Sequence, residues 1–131
     1  MDLLVTSDVI AILLARAEEA APEECCGLLL GSGRTVREAR AAANVAGDRR
    51  RRFEIDPAAL LLAHKAARSG GPDLIGYYHS HPQGHPVPSA IDCEHASGDA
   101  RVWAIIAGGE VAFWRDGEKG FEPLLYSVTD G

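Results

Sequence analysis

One short stretch of the chain has the residue types and the spacing of a metal-binding site. Residues 79–92 read HSHPQGHPVPSAID, a His-x-His-Pro followed by Ser-x-x-Asp. His79 and His81 lie two positions apart on a predicted strand, so their side chains point to the same face. Asp92, from the segment that follows, would supply a third ligand. Two histidines and one carboxylate leave tetrahedral zinc one open position for water, which is typical of a catalytic site.

Each part of this motif also has a simpler explanation. A single histidine on a strand is more often a structural residue than a metal ligand. Ser89-x-x-Asp92 matches a helix capping box, in which Ser89 caps the helix and the acid three residues later reaches back. For Asp92 alone, the capping role explains the residue as well as the metal role does. The same-face histidines, where a strand runs into a proline-rich loop, favour the metal site.

Three further histidines are weaker candidates for this site. His95 follows Asp92 by one helical turn and would share its face of the helix. His64, in a predicted helix, and His85, in the loop, are expected at the surface or behind the ligands. The sequence leaves their contribution open.

Composition restricts the class of protein. With 131 residues, 47% of them hydrophobic, the chain predicts one globular domain over residues 1–131. A net charge of −6 disfavours general binding to nucleic acid or to an anionic membrane. We find no basic signal-peptide region at the N-terminus and no apolar run long enough to span a membrane. Cys25, Cys26 and Cys93 form no disulfide framework, so the predicted location is the cytoplasm.

Consecutive arginines, Arg49 to Arg52, interrupt this acidic chain. Such a run is most often a solvated loop. It could instead dock an acidic face of a protein substrate, and the sequence leaves both possibilities open.

The elements around the motif predict an α/β or α+β domain in three layers. Asp56-Pro57 gives a clear helix start, an N-cap residue followed by proline at the first helical position. Cys25 to Leu30 is predicted to be a strand buried on both faces with a hairpin into 34–43, although Ala39 to Ala43 would suit a helix equally well. The predicted helices cover 6–20, 57–69 and 89–97, and the predicted strands cover 25–30, 34–43, 74–81, 102–107, 111–115 and 122–128, the last interrupted near Pro123.

The residues quoted above resemble the motif of the JAMM (MPN-plus) metalloprotease family. His79-Ser80-His81-Pro82 and Ser89-Ala90-Ile91-Asp92 match its fixed positions and its spacing. Glu24-Cys25-Cys26-Gly27 matches the upstream Glu-x-x-Gly of that family, whereas Glu23 would project from the opposite face of the strand. Phe53 to Pro57, before the second helix, also looks like the family, and the resemblance extends from about residue 3 to 126.

The resemblance implies an MPN-like single domain, a curved mixed β-sheet flanked by helices. It implies one Zn2+ with a bound water, held by His79, His81 and Asp92. It also implies Glu24 as the general base and Ser89 as the hydroxyl that stabilises the oxyanion. These residue types suit amide hydrolysis, because a carboxylate can move a proton from water to the leaving amine and a hydroxyl can donate to the tetrahedral intermediate.

The absence of obvious insertions makes the chain more similar to the stand-alone prokaryotic members of the family. That similarity implies cleavage after the C-terminal Gly-Gly of a ubiquitin-like or sulfur-carrier protein, with cysteine or a lysine amine as the leaving group. Nucleic acid and membrane are not expected as partners, and the sequence does not predict the oligomeric state. Two alternatives are a non-catalytic MPN scaffold subunit and a RadC-like DNA-associated protein. The complete set of site residues disfavours the first, and the acidic net charge disfavours the second.

Overall fold

The computed structural model describes residues 3–131, which form three helices and one mixed eight-stranded sheet. The helices are α1 (Ser7–Ala20), α2 (Pro57–Arg68) and α3 (Ala90–His95). The strands are β1 (Leu3–Thr6), β2 (Cys26–Ser32), β3 (Thr35–Ala42), β4 (Asp73–Ser80), β5 (Val102–Ala107), β6 (Glu110–Gly117), β7 (Gly120–Leu124) and β8 (Tyr126–Thr129). The predicted α+β class, with a curved mixed sheet flanked by helices, is confirmed.

The sheet curls so that its two edges approach each other. Its strand order is β7-β6-β5-β4-β2-β3-β1-β8, so β7 and β8 lie at opposite ends although only Leu125 separates them in the chain. The Tyr126 hydroxyl, on β8, donates to the carbonyl of Val111 on β6 at 3.2 Å. The rings of Phe113 and Tyr126 also meet edge to face, with centroids 4.6 Å apart. These contacts join the two ends of the curled sheet.

The predicted single strand over 122–128 is wrong, because the chain changes partner within it. Pro123 lies in β7, opposite Trp114, at an edge where its missing N–H costs no ladder bond. After Leu125, whose carbonyl accepts from the Leu3 N–H at 3.0 Å, the chain pairs in parallel with β1 as β8. Strand β1 itself was not predicted, since its four residues run directly into α1.

Strand β2 is buried on both faces, as predicted, because a helix covers each face of the sheet. Leu29 packs in the cluster of α1, with Val9 and Leu13. Leu28 and Leu30 point the other way and pack in the cluster of α2. This alternation follows from the period of two along a strand. The 34–43 segment is β3, antiparallel to β2, so its helical alternative is excluded.

Each helix begins at the predicted residue or one residue after it. The Thr6 hydroxyl accepts from the Val9 N–H, and the Asp56 carboxylate accepts from the Ala58 N–H. Each bond satisfies a backbone donor that has no partner within its helix. Helix α2 ends at Arg68, before Gly70, which has a φ of +86°. Within residues 3–131, no helix is long and apolar enough to cross a membrane.

Candidate metal centre and active site

The pairing of β2 with β4 positions the two parts of the site. Cys26 lies opposite His79 in this antiparallel register. Continuing the register by two residues sets Glu24 opposite His81, on the same face of the sheet. The backbone N–H of Cys25 donates to the Ser80 hydroxyl at 2.9 Å, and the Ser80 N–H donates to the Cys25 carbonyl at 3.1 Å. The serine between the two histidines thus fixes the segment that carries Glu24.

Gly27 has a steric reason to be glycine. A Cβ at this position would collide with the Arg40 carbonyl oxygen on β3 and with the Tyr78 ring on β4. Tyr78 is fully buried and adjoins His79, so a larger residue at 27 would displace the strand that carries the histidines. The glycine of Glu-x-x-Gly therefore permits the close approach of β2 to its neighbours.

His79, His81 and Asp92 converge on one point. The Nε2 atoms of the two histidines are 3.1 Å apart, and each lies 3.1 Å from the Asp92 Oδ2. His79 is fully buried and Asp92 is 3% exposed, while His81 borders the solvent. Ligands around tetrahedral zinc lie about 3.3 Å apart, given metal–ligand distances of about 2.0–2.1 Å. The three atoms therefore fit the spacing of one small metal ion, and residues 3–131 hold this one group of its kind.

The hydrogen bonds of His81 also favour a cation at this point. Its Nδ1 lies 2.8 Å from the His85 carbonyl oxygen, which can only accept, so Nδ1 carries the hydrogen. In the neutral ring, Nε2 then presents a lone pair to the Asp92 carboxylate. Two lone pairs at 3.1 Å repel unless a cation or a proton lies between them. Binding of the second ring nitrogen to a carbonyl is also typical of metal-ligating histidines.

The three side chains respond differently to burial. Burial lowers the pKa of His79 and keeps its ring neutral. Burial also opposes a charge on Asp92, but contacts with both imidazoles and the Ser89 N–H outweigh it and hold the pKa of Asp92 well below its usual range. For His81, burial is outweighed by Asp92 and the His85 carbonyl, so its pKa is raised. A neutral imidazole beside an ionised carboxylate suits a divalent cation.

Asp92 completes the capping box, and its position also suits the metal role that the sequence allowed. Its Oδ2 accepts from the Ser89 N–H at 2.9 Å, and its own N–H donates to the Ser89 Oγ at 3.0 Å, which completes the capping box of α3. The same Oδ2 faces both histidines. The cap therefore fixes the carboxylate rotamer that points to the two imidazoles.

Aromatic rings, and not a hydrogen bond to Nδ1, orient the imidazole of His79. Phe53 stacks on the imidazole with centroids 4.2 Å apart and planes 15° from parallel. Trp103 meets the same ring edge to face at 5.7 Å. The buried His79 Nδ1 has no hydrogen-bond partner among the described residues. Sequence reasoning included Phe53 only in a family-like segment and missed its contact with His79, because 26 positions separate the two residues.

Glu24 is buried beside a cavity of about 610 Å³ that also reaches His81 and Ser89. The residue is 7% exposed. Burial raises the pKa of its carboxyl to about 7, with Asp92 adding to the increase and His81 opposing it. Glu23 points outward and forms an ion pair with Arg49 at 3.3 Å. The two neighbouring glutamates therefore differ in environment, as predicted from strand alternation.

The remaining candidates lie outside the three-ligand group. His95 is exposed at the end of α3, and His64 is partly buried on α2. His85 lines the cavity and contributes its backbone carbonyl to His81. Cys26 is buried in the cluster of α2, as expected for a small apolar residue. Asn44, Arg50 and Arg51 adjoin the site and were not predicted as site residues; only the arginine run gave a signal.

Comparison with known proteins gives relatives of two kinds. A protein named "Desampylase" from Haloferax volcanii is 40% identical over 109 residues, which is 79% of this chain and 78% of that protein. A "Probable TtuB-protein conjugate cleaving protease" from Thermus thermophilus is 36% identical over 101 residues, 77% of this chain and 62% of that protein.

Solved structures agree on the fold. The solution structure of a Desulfitobacterium hafniense protein has a TM-score of 0.86 and 27% identity, and the match covers 98% of this chain and 94% of that one. A JAB1/MPN domain protein from Archaeoglobus fulgidus has a TM-score of 0.68 and 20% identity, covering 99% of this chain and all of that one, so it supports the fold alone. Residues 6–117 also match the family described as prokaryotic homologs of the JAB domain. This chain therefore belongs to the prokaryotic JAB family, within the JAB/MPN group to which the JAMM motif belongs.

Proposed function

We propose that the protein is a zinc-dependent isopeptidase that hydrolyses the amide bond after the C-terminal Gly-Gly of a ubiquitin-like or sulfur-carrier protein. The observation that carries this proposal is the convergence of three ligand atoms, 3.1 Å apart, beside a cavity that a buried glutamate also lines. The relatives named "Desampylase" and "Probable TtuB-protein conjugate cleaving protease" support the substrate class.

His79, His81 and Asp92 are the proposed ligands of one zinc ion per chain. Nitrogen and oxygen ligands of this kind suit zinc, and three protein ligands leave a position open for water. Zinc, when bound, supplies a Lewis acid that can lower the pKa of its bound water to about 7. The stacked Phe53 and the capping box keep two of the three ligands in place.

Glu24 is the proposed general base. Its carboxyl borders the same cavity as His81, and a cation bound there would favour the ionised form, which can accept a proton from water and return it to the leaving nitrogen. Ser89 is the proposed oxyanion donor, because its Oγ accepts from Asp92 and its own hydrogen remains available. Both residues line the same cavity.

The shape of the loop 82–88 favours a substrate with a narrow C-terminal tail. Its prolines restrict the backbone, and it is held at two points: the His85 carbonyl bonds to His81, and the Pro86 carbonyl accepts from the Trp114 indole at 3.1 Å. A preformed groove binds an extended tail with little loss of entropy. Gly-Gly fits such a groove with the least steric hindrance.

The test compares fusions of a ubiquitin-like protein that end in Gly-Gly-X and Ala-Ala-X, where X is an amino acid. We expect zinc-dependent release of X from the first substrate only. Glu24→Gln should keep its zinc and lose about 10²–10⁴-fold in turnover, while Glu23→Gln serves as the matched control. Equal rates on both fusions would indicate a general peptidase. A purified protein that binds no metal would favour the scaffold alternative.

A further inference from the structure

Two arginines line the same cavity as the proposed catalytic residues. Arg50 and Arg51 border it together with Glu24, His81 and Ser89. The chain has a net charge of −6, so this cationic wall contrasts with the protein as a whole. The acidic protein as a whole would repel a negatively charged substrate, whereas the two arginines would attract it to the cavity.

The arginine segment is attached directly to the backbone of Glu24. The Glu24 N–H donates to the Arg49 carbonyl at 2.7 Å. The Asn44 side-chain amide donates to the carbonyls of Glu24 and Arg52 at 3.0 Å each. The Asn44 Oδ1 in turn accepts from the N–H of Glu54 at 3.0 Å. Asn44 therefore ties the C-terminal end of the arginine run to Glu24, and the Arg49 carbonyl ties its N-terminal end, which fixes the arginine backbones relative to Glu24.

The arginines of this segment differ in their ion pairs. Arg49 is paired with Glu23, which points outward from the segment before β2. Arg51 has only a long contact of 3.9 Å with Asp48 and an 82% exposed side chain, so this pair is weak. Arg50 has no ion pair with any residue in 3–131. Arg50 and Arg51 thus keep their charge available to a bound molecule.

We propose that Arg50 and Arg51 determine specificity by binding acidic side chains of the substrate within a few residues of the scissile amide. This inference rests on the proposed function and names the feature that the site selects in a conjugate. A guanidinium binds a carboxylate through two parallel N–H···O bonds, which gives geometric selectivity as well as attraction. Because the segment is tied to Glu24, the same contact would align the amide with the base.

The experiment compares two conjugates in which the Gly-Gly end of one ubiquitin-like protein is joined to an amine. In the acidic conjugate the residues that flank the amide are Asp and Glu, and in the neutral conjugate they are Asn and Gln. We expect the wild-type protein to favour the acidic conjugate by about tenfold in kcat/KM at low salt, mainly through KM. The double variant Arg50→Gln, Arg51→Gln should reduce that preference to less than twofold. The control Arg37→Gln, Arg68→Gln removes the same charge from exposed positions outside the cavity and should keep the preference.

A wild-type protein that hydrolyses both conjugates equally, or a control variant that loses the preference as much as the test variant, would overturn the inference. Binding gives a second measurement that does not depend on turnover. The Glu24→Gln protein should bind the acidic conjugate about tenfold more tightly than the neutral one in a fluorescence anisotropy titration, and the two arginine substitutions should abolish the difference. Failure of hydrolysis with this binding preference intact would refute the proposed activity and leave the arginine contact supported.

Discussion

Replacing Glu24 with glutamine should stabilise the metal-free protein, and the gain should depend on pH. Burial raises the pKa of this carboxyl from 4.5 to about 7. As the pH increases above 4.5, the carboxyl of the unfolded chain ionises first, while the folded protein retains its proton until about pH 7. The unfolded state therefore gains free energy of ionisation that the folded state does not, and stability falls across this interval. Glutamine cannot ionise, so the variant avoids this loss.

The magnitude follows from the difference between the two pKa values. A difference of about 2.5, at 1.36 kcal/mol for each pKa unit, corresponds to about 3 kcal/mol above pH 8. The residue is 7% exposed but borders the cavity, where solvent screens part of the charge, so about 3 kcal/mol is an upper limit. For a chain of this length, about 3 kcal/mol corresponds to roughly 10 °C in Tm. At pH 4 both states are largely protonated, and the two proteins should differ by less than about 1 kcal/mol.

The assay is thermal or urea unfolding of chelated protein between pH 4 and 8.5. Zinc must be absent because a cation near the carboxylate would favour its ionised form and cancel the effect. Glu23→Gln is the matched control, since Glu23 is half exposed and paired with Arg49. Equal stability of wild type and Glu24→Gln at pH 8 would show that the carboxylate is solvated in the folded protein. That result would refute the burial of the Glu24 carboxyl in the metal-free protein.

Three further substitutions test the metal centre and the cavity. His81→Ala should remove zinc, measured by elemental analysis, yet leave the circular dichroism spectrum unchanged, because the apolar clusters do not depend on the site; an unfolded variant would make the site structural. Phe53→Leu should weaken zinc affinity by about tenfold in a chelator competition, because stacking replaces a hydrogen bond at His79. The control Phe121→Leu removes a ring that touches Trp103 and not His79, so it should leave the zinc affinity unchanged. Equal zinc affinities of the Phe53→Leu and Phe121→Leu proteins would refute this role of Phe53. Ser89→Ala should lower turnover by about 10²-fold and the free energy of unfolding by about 1 kcal/mol, so both quantities need measurement; a change in stability alone would restrict Ser89 to capping.

Local sequence was sufficient for the elements whose signals lie within a few residues. Asp56 and Ser89 cap the helices that their positions predict. The prediction was wrong at 122–128, where β7 and β8 separate on either side of Leu125. A strand pattern specifies which side chains are buried, but it does not specify the partner strand. Here the pairing of β8 with β1 depends on the curl of the whole sheet.

The sequence by itself determined the metal-ligand candidates, because His79 and His81 share a face by strand geometry and Asp92 lies in the first turn of the helix after the loop. Only the tertiary structure decided what surrounds them. The β2–β4 register brings Glu24 opposite His81 across 57 positions of chain, and the packing of the segment before α2 places Phe53 on His79. Such contacts depend on pairing and burial between distant segments. Local spacing contains no information about them, which is why the proposal of Glu24 as base required a family resemblance, and the position of the arginines beside it required the fold.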